Sequence, residues 1–535
     1  MPERRSGDEE KGNVGCDEAK MKMGKDQAIR GRHQEEVLNS RDLAWGSDVP
    51  FGHKREWPLT SQSLPTSALL DDSACERVRL PRERRLKMLS LASLIFFTTC
   101  GGPFGLEPLI GATGAGWAIV LILITPLVWS LPISLMVAEL AGLMPEEGGY
   151  YVWVRETLGR FWGVQAGWWA MAYAVGVMAI FPVLFVSYLS FFFPSLGTSA
   201  DGAHPGTGAL VRWLAAVLMI ASAMAVNLRS AKDVGRTAKA GAAFVLGAFL
   251  VMILIWLRRG VHPGALADVV RNDFVAEHKG GLLLVLSILA FDYSGWDGAS
   301  TYAGEVDEPQ RNYPKAIAVA LTVLVACYIF PVIAGIAVTT DPAVWSDAAG
   351  WPVIGQLIGG RWLGGLLAAA GLVSMWGLFT AQLLYASRLP YVMARDGWLP
   401  KVLAKASPKT AVPTVATIVF CAITGVFAAL SFGGLAVIQS LMYAGLVVLE
   451  LLALVMLRVR RPGAARNFRV PGGWGGLAYV VVAPFAAAML LLFAVVPNWR
   501  AYWWDLMVVG LVVMGGVSLY WLRRRSTGVP VAIEG

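Results

Sequence analysis

The chain has 535 residues, 56% hydrophobic and only 15% charged, with a mean hydropathy of +0.57. That excludes a soluble globular protein of this size and makes the chain a polytopic membrane protein. The net charge of +8 does not argue for nucleic acid as a partner, because most basic residues fall in short segments between apolar runs, where orientation in the membrane explains them.

Residues 1–85 carry many charges of both signs, few aromatics and no sustained period, which predicts a disordered cytoplasmic tail ahead of a membrane domain at 86–525. No apolar core follows the early basic residues, so the tail is not a cleavable signal peptide. Its end, Arg77, Arg79, Arg82, Arg84, Arg85 and Lys87, is a basic cluster directly before the first apolar run and keeps the N-terminus in the cytoplasm.

Apolar runs of bilayer length then predict about twelve spans: 88–113, 116–143, 161–193, 208–228, 238–257, 280–303, 313–338, 361–386, 411–431, 434–457, 477–496 and 503–522. The third is longer than one crossing needs and is expected to tilt or bend at Pro182. Alternate loops carry the Lys and Arg excess: Arg229 to Lys239, Arg388 to Lys409, Arg458 to Arg469 and Arg523 to Arg525. The loop holding Arg258, Arg259, Arg271 and Lys279 is the exception. An even number of spans puts both termini inside, the C-terminal one as a short tail at 526–535, in the plasma membrane or a bacterial inner membrane.

Two spans are interrupted. The first holds Cys100-Gly101-Gly102-Pro103-Phe104-Gly105-Leu106-Glu107, and the sixth holds Phe291-Asp292-Tyr293-Ser294-Gly295-Trp296-Asp297-Gly298. Broken helices at the first and sixth positions predict two five-span halves of inverted topology with two spans appended. Backbone groups freed at such a break become ligands: half-helix N-termini for a carboxylate, carbonyl ends for an ammonium or metal cation.

Gly101, Gly102 and Gly105 let the backbone bend and approach a ligand, and Pro103 cannot donate to a helical ladder; the alternative is small residues for close packing. Asp292 is placed either to pair with an amine or exchange a proton, or to make a structural hydrogen bond at a broken end. Asp297 and Glu107 either join a cationic pocket or proton coupling, or cap half-helices. Phe104, Phe291, Trp296, Tyr173 and Trp376 are candidate pocket walls for an ammonium group.

Five cysteines, Cys16, Cys75, Cys100, Cys327 and Cys421, show neither CxxC nor metal-ligand spacing, so no disulfide framework, metal or cofactor is expected. No phosphate loop, nucleophile elbow or HExxH pattern occurs, so neither an enzyme nor an ATP-driven pump is expected.

The motifs GGPFG (101–105), MPEEGGYYVWV (144–154), FWGVQAGW (161–168), FPVLFVSYL (181–189) and WDGASTYAGEVDEPQRNYPKA (296–316) together resemble the amino acid, polyamine and organocation (APC) superfamily. Within it the chain is most similar to the plant-type polyamine-uptake branch, in the wider group that includes L-type amino acid permeases. The resemblance covers residues 85–525. It implies an all-α, LeuT-like fold of inverted five-helix repeats and secondary active transport, in this branch driven by protons, of a cationic or zwitterionic small molecule.

By motif, the resemblance makes Gly101, Gly102 and Phe104 the segment that receives a substrate carboxylate in amino acid transporters, and Phe291 an aromatic gate. Asp297 falls where relatives have a glutamate, and Glu107 is the acid of the GGPFGxE pattern. Ser294 lies within the same sixth-span segment. The branch pattern has an asparagine-like residue near Asp292 and a glutamate where this chain has Gln382 in FTAQLLYAS. The competing reading is a membrane sensor or transport subunit that keeps the fold but only binds ligand.

Overall fold

The computed structural model describes residues 85–527 other than 197–204, 261–281, 346–349, 429–431, 465, 467, 496–498 and 501–502. The expected N-terminal tail lies outside the described residues up to 84, as do Cys16, Cys75, most of the basic cluster, most of the loop before the sixth span, and residues 528–535. Residues 526–527, expected in the C-terminal tail, end the last helix instead.

The described chain is helical throughout, and nine of its helices are long and apolar enough to cross a membrane. Shorter helices complete twelve spans. The first has two halves, Met88–Thr99 and the opening of Glu107–Thr125. The second continues through a π-turn, Pro126–Ser130, into Leu131–Leu143. Then come Arg160–Leu189, Pro205–Asn227 and Ala231–Arg258. The sixth is Leu282–Asp292 followed, after a gap, by the 3₁₀ segment Gly298–Glu305. Pro309–Ile336, Arg361–Ala386, Thr414–Phe427, Phe432–Arg460, Gly473–Val495 and Trp503–Thr527 complete the set. The two interrupted spans stand five apart, as two inverted five-span halves require.

Local chemistry explains where these boundaries differ from expectation. The first and second spans meet at Gly114, whose φ of 75° turns the chain without ending the hydrogen-bonded run. Pro126 and Pro132 lack N–H donors, and the ladder absorbs them as a π-turn inside the second span. The third span ends at Leu189 rather than 193 and carries Pro182 within one continuous helix. The fifth begins seven residues early, because the Ser230 hydroxyl accepts the Asp233 amide and caps it in the loop.

Helices too short to span were not anticipated: Tyr150–Leu158, Trp351–Gly359 and Arg388–Arg395. Tyr150–Leu158 and Arg388–Arg395 lie with the basic loops at one end, and Trp351–Gly359 lies at the other. At the basic end Glu139 pairs with Arg458 through two hydrogen bonds of 2.7 and 2.5 Å and takes the Val470 amide at 2.8 Å. Arg388 holds Glu305 at 2.6 and 2.8 Å, both side chains buried.

Buried charge of this kind is retained only when its hydrogen bonds are satisfied, and Arg388 also donates to the Leu384 carbonyl at 2.7 Å. Tyr151 donates to Asp396, which also pairs with Arg155. Burial, and then that carboxylate, hold the Tyr151 phenol well above its ordinary range. The outer faces stay apolar: Leu218 is 72% exposed and Phe493 70%, as surfaces in contact with lipid chains must be.

Candidate functional site

The first half of the first span stops at Thr99 because the next residues cannot extend it. Gly101, Gly102 and Gly105 have φ of 64°, 125° and 104°, accessible chiefly to glycine. The freed backbone groups find partners across the bundle. Ser374 donates to the Gly101 carbonyl at 2.6 Å, and the Trp351 indole to the Pro103 carbonyl at 2.9 Å. The amides are engaged too: Gly101 N–H reaches the Phe96 carbonyl at 2.9 Å, and Gly105 N–H donates to Glu107 Oε2 at 2.7 Å.

Glu107 is fully buried at the first position of the second half-helix, and its other oxygen accepts from Tyr188 at 3.1 Å. The positive end of that half-helix is thus already met by a carboxylate of the chain itself.

The sixth span breaks beside it. Leu282–Asp292 ends with the Asp292 carbonyl accepting from Tyr328 at 2.6 Å. Gly295, at φ 95°, lies so close to the first span that a Cβ there would sit 2.1 Å from the Thr98 carbonyl oxygen. A Cβ on Gly105 would meet Asp292 Oδ1 at 2.6 Å. The two breaks therefore touch, backbone against backbone and backbone against carboxylate. Asp292 is buried, and its Oδ2 has no hydrogen-bond partner among the described residues.

Between the breaks lies a cavity of about 20 Å³, room for roughly one water. Its wall includes Thr98, Thr99, Phe104, Asp292, Ser294 and Gln382. Tyr173, Phe291 and Cys100 also line it. Two helices, Met88–Thr99 and Leu282–Asp292, end here with their carbonyl termini, so two negative dipole ends and the Asp292 carboxyl converge on one spot.

The anticipated residues separate into three groups. Phe104, Tyr173, Phe291, Asp292, Ser294 and Gln382 face the cavity, while Gly101, Gly102, Gly105 and Glu107 shape the first break behind it. Gln382 donates to the Thr98 carbonyl at 3.5 Å and accepts from Tyr385 at 2.9 Å. Trp296 is fully buried behind the second break, its indole donating to the Tyr293 carbonyl at 2.9 Å. Trp376 is not a wall: its indole donates to Ser222 on the fourth span, because its position on the eighth helix turns it sideways.

Asp297 lies past the break, where Tyr443 donates to it at 2.7 Å and accepts the Gly295 amide at 3.1 Å. Tyr443 and, one step further, Glu450 were not singled out from the sequence. Glu450 is a lone acid in an apolar run and carried the same signal that drew attention to Asp292.

Comparison with known proteins comes to the same architecture. Residues 86–517 match the family described as amino acid permease. The chain is 37% identical to polyamine transporter PUT1 of Oryza sativa subsp. japonica, over 76% of this chain and 74% of that one. It is 33% identical to polyamine transporter RMV1 of Arabidopsis thaliana, over 84% and 88% of the two chains. An uncharacterized transporter of Mycobacterium tuberculosis is 29% identical over 55% of this chain and 61% of its own.

Proposed function

Because the chain belongs to the amino acid permease family, a family of membrane transporters and not of enzymes, we propose that it is a proton-driven permease whose preferred cargo is a polyamine rather than an amino acid. The observation that carries this reading is the charge pattern at the two breaks. Two helix carbonyl ends and the unpartnered Asp292 Oδ2 converge on the cavity. An ammonium group supplies what that arrangement lacks, since it donates up to three hydrogen bonds and carries positive charge.

An amino acid would need a second subsite for its carboxylate. The natural place is the amide-rich start of the second half-helix, and Glu107 occupies it by accepting the Gly105 amide at 2.7 Å. A free carboxylate brought there would face a buried carboxylate, a repulsion costly in a low-dielectric interior. The names of the rice and Arabidopsis relatives, at 37% and 33% identity, point the same way.

The site comprises Asp292 and Glu107 as amine partners, Phe104, Phe291 and Tyr173 as aromatic walls, and Ser294 and Gln382 as polar contacts. Trp296 backs it, and Gly101, Gly102 and Gly105 give the backbone its close approach. The basic loops are cytoplasmic, with both termini, in a cell membrane.

A cavity of about 20 Å³ is too small for a diamine, so cargo enters only when one end opens, as alternating access requires. The test is uptake of labelled putrescine, spermidine and a panel of amino acids into proteoliposomes, with and without an imposed pH gradient and without sodium. Gradient-stimulated uptake of putrescine or spermidine is expected. Uptake confined to amino acids would overturn the polyamine reading, uptake indifferent to the gradient would overturn proton drive, and binding without uptake would leave a sensor.

A further inference from the structure

Outside the cavity, and not used by the cargo site, is a second pair of buried acids. Asp297 begins the 3₁₀ half of the sixth span, and Glu450 lies two helical turns past Tyr443 on the same face of the tenth span. Asp297 is 2% exposed and Glu450 fully buried. Neither oxygen of Glu450 receives a donor among the described residues, and the Asp297 carboxyl stands against it.

The titratable groups that act on the pair are Tyr443 from the tenth span, Tyr173 from the third, Tyr150 from the short helix before it, and Tyr385 from the eighth. All are phenols. No lysine, arginine or histidine is among them, so among the described residues nothing in that shell balances two negative charges.

Ionised carboxyls only accept hydrogen bonds, so two that face each other must share a proton. We propose that Asp297 and Glu450 hold that one proton between them and that its exchange couples proton movement to opening of the sixth-span break. The link is Tyr443, whose hydroxyl donates to Asp297 at 2.7 Å and accepts the Gly295 amide at 3.1 Å.

Gly295 is the point where the sixth span touches the first, against the Thr98 carbonyl that edges the cavity. When the proton leaves to water, no bond but the O–H is broken and no electron moves. Two adjacent carboxylates then repel, Asp297 shifts from Glu450, and Tyr443 is pulled with it from the amide at the contact of the two breaks. The pair is a coupling device beside the cargo site, and the inference rests on the proton-driven reading above.

The experiment compares the whole protein with Glu450→Gln in proteoliposomes, using labelled putrescine. Two ratios are read: uptake with against without a pH gradient, and counterflow of internal against external putrescine. Glutamine keeps the volume and donates to Asp297 without a titrating proton, so a purely structural role survives the change.

The expected result is that the gradient ratio falls to one while counterflow persists; Tyr443→Phe, which cuts the link, lowers the same ratio. Infrared spectra of detergent-purified protein without cargo supply an independent readout: a protonated-carboxyl band present in wild type and absent in Glu450→Gln. A Glu450→Gln protein with the wild-type gradient ratio, or a wild type whose carboxyl band does not depend on Glu450, overturns the assignment. A wild type that takes up putrescine with no response to the gradient overturns the proton-driven reading itself, and the coupling with it.

Discussion

Asp292 and Gly105 form the contact from which the proposed cargo site is built. A carboxyl oxygen occupies the place where Gly105 would carry a Cβ. Any side chain there must displace the acid, and it must also adopt φ of 104°, at a cost on the order of 1–3 kcal/mol for a non-glycine residue. Gly105→Ala is therefore expected to abolish uptake while the protein still reaches the membrane, read as uptake normalised to the amount inserted.

Asp292→Asn keeps shape and removes charge. Losing one partner of a buried charged hydrogen bond costs about 2–5 kcal/mol, so apparent affinity for putrescine should fall by at least ~30-fold. Unchanged affinity would take Asp292 out of the site.

At this scale the sequence was informative where a residue was costly in its context. An acid in an apolar span and glycines beside a proline announce themselves. What it could not give was partnership. Glu107 is conspicuous as an acid, but only the folded chain shows it accepting the Gly105 amide and so filling the place a substrate carboxylate would need. Trp376 shows the converse: an aromatic on the right span that faces a neighbouring helix.

Among elements, the 3₁₀ segment Gly298–Glu305 joins the sixth-span break to the basic end. It follows a break, carries small and polar residues with no helical period, and is held by others rather than by its own propensity. The Gly148 amide donates to the Thr301 carbonyl at 2.9 Å, and a Cβ on Gly149 would collide with Ser300 Oγ at 2.0 Å, so the loop after the second span lies directly on it. Leu86, just before the first span, donates its amide to the Glu305 carbonyl at 2.8 Å. Glu305 itself is tied to Arg388.

These contacts were invisible beforehand, because the elements that make them are nine residues or fewer, below the length at which a period declares itself. Arg388→Met should show their weight. It preserves most of the side-chain volume and strands a buried carboxylate, a change that costs about 3–5 kcal/mol when one partner of a buried pair is removed. Thermal unfolding in detergent is expected at a clearly lower temperature than wild type. A double replacement, Arg388→Met with Glu305→Gln, should recover much of the loss, because no uncompensated charge remains; failure of the double variant to recover would assign the cost to packing.

In the molecule as a whole, twelve spans were legible because each needs a bilayer-length apolar run, and their order followed from the alternation of basic loops. Nothing comparable marks how the two ends close. The basic end closes by ion pairs, Glu139 with Arg458 and Glu305 with Arg388. The opposite closure rests on Trp351, fully buried on a short helix between the seventh and eighth spans, its ring edge-on to Phe249 and Trp345 and its indole holding the Pro103 carbonyl. One end is locked by charge and the other by a single large aromatic seated on the first break.

That asymmetry gives a direct measurement of opening, since Cys100 is 4% exposed and lines the cavity. With Cys16, Cys75, Cys327 and Cys421 replaced by alanine, Cys100 becomes the sole thiol, and its rate of reaction with a membrane-impermeant thiol reagent reports the open population. Truncating a buried tryptophan costs about 3–5 kcal/mol, and every ~1.4 kcal/mol of that borne by the closed arrangement alone raises the open population about tenfold.

Trp351→Ala should therefore speed labelling of Cys100 by at least ~10-fold from the side opposite the basic loops, and putrescine should slow it by occupying the cavity. Acceleration only from the basic side would reverse the assignment of the two closures. No acceleration from either side would mean that the indole on Pro103 does not hold this end shut.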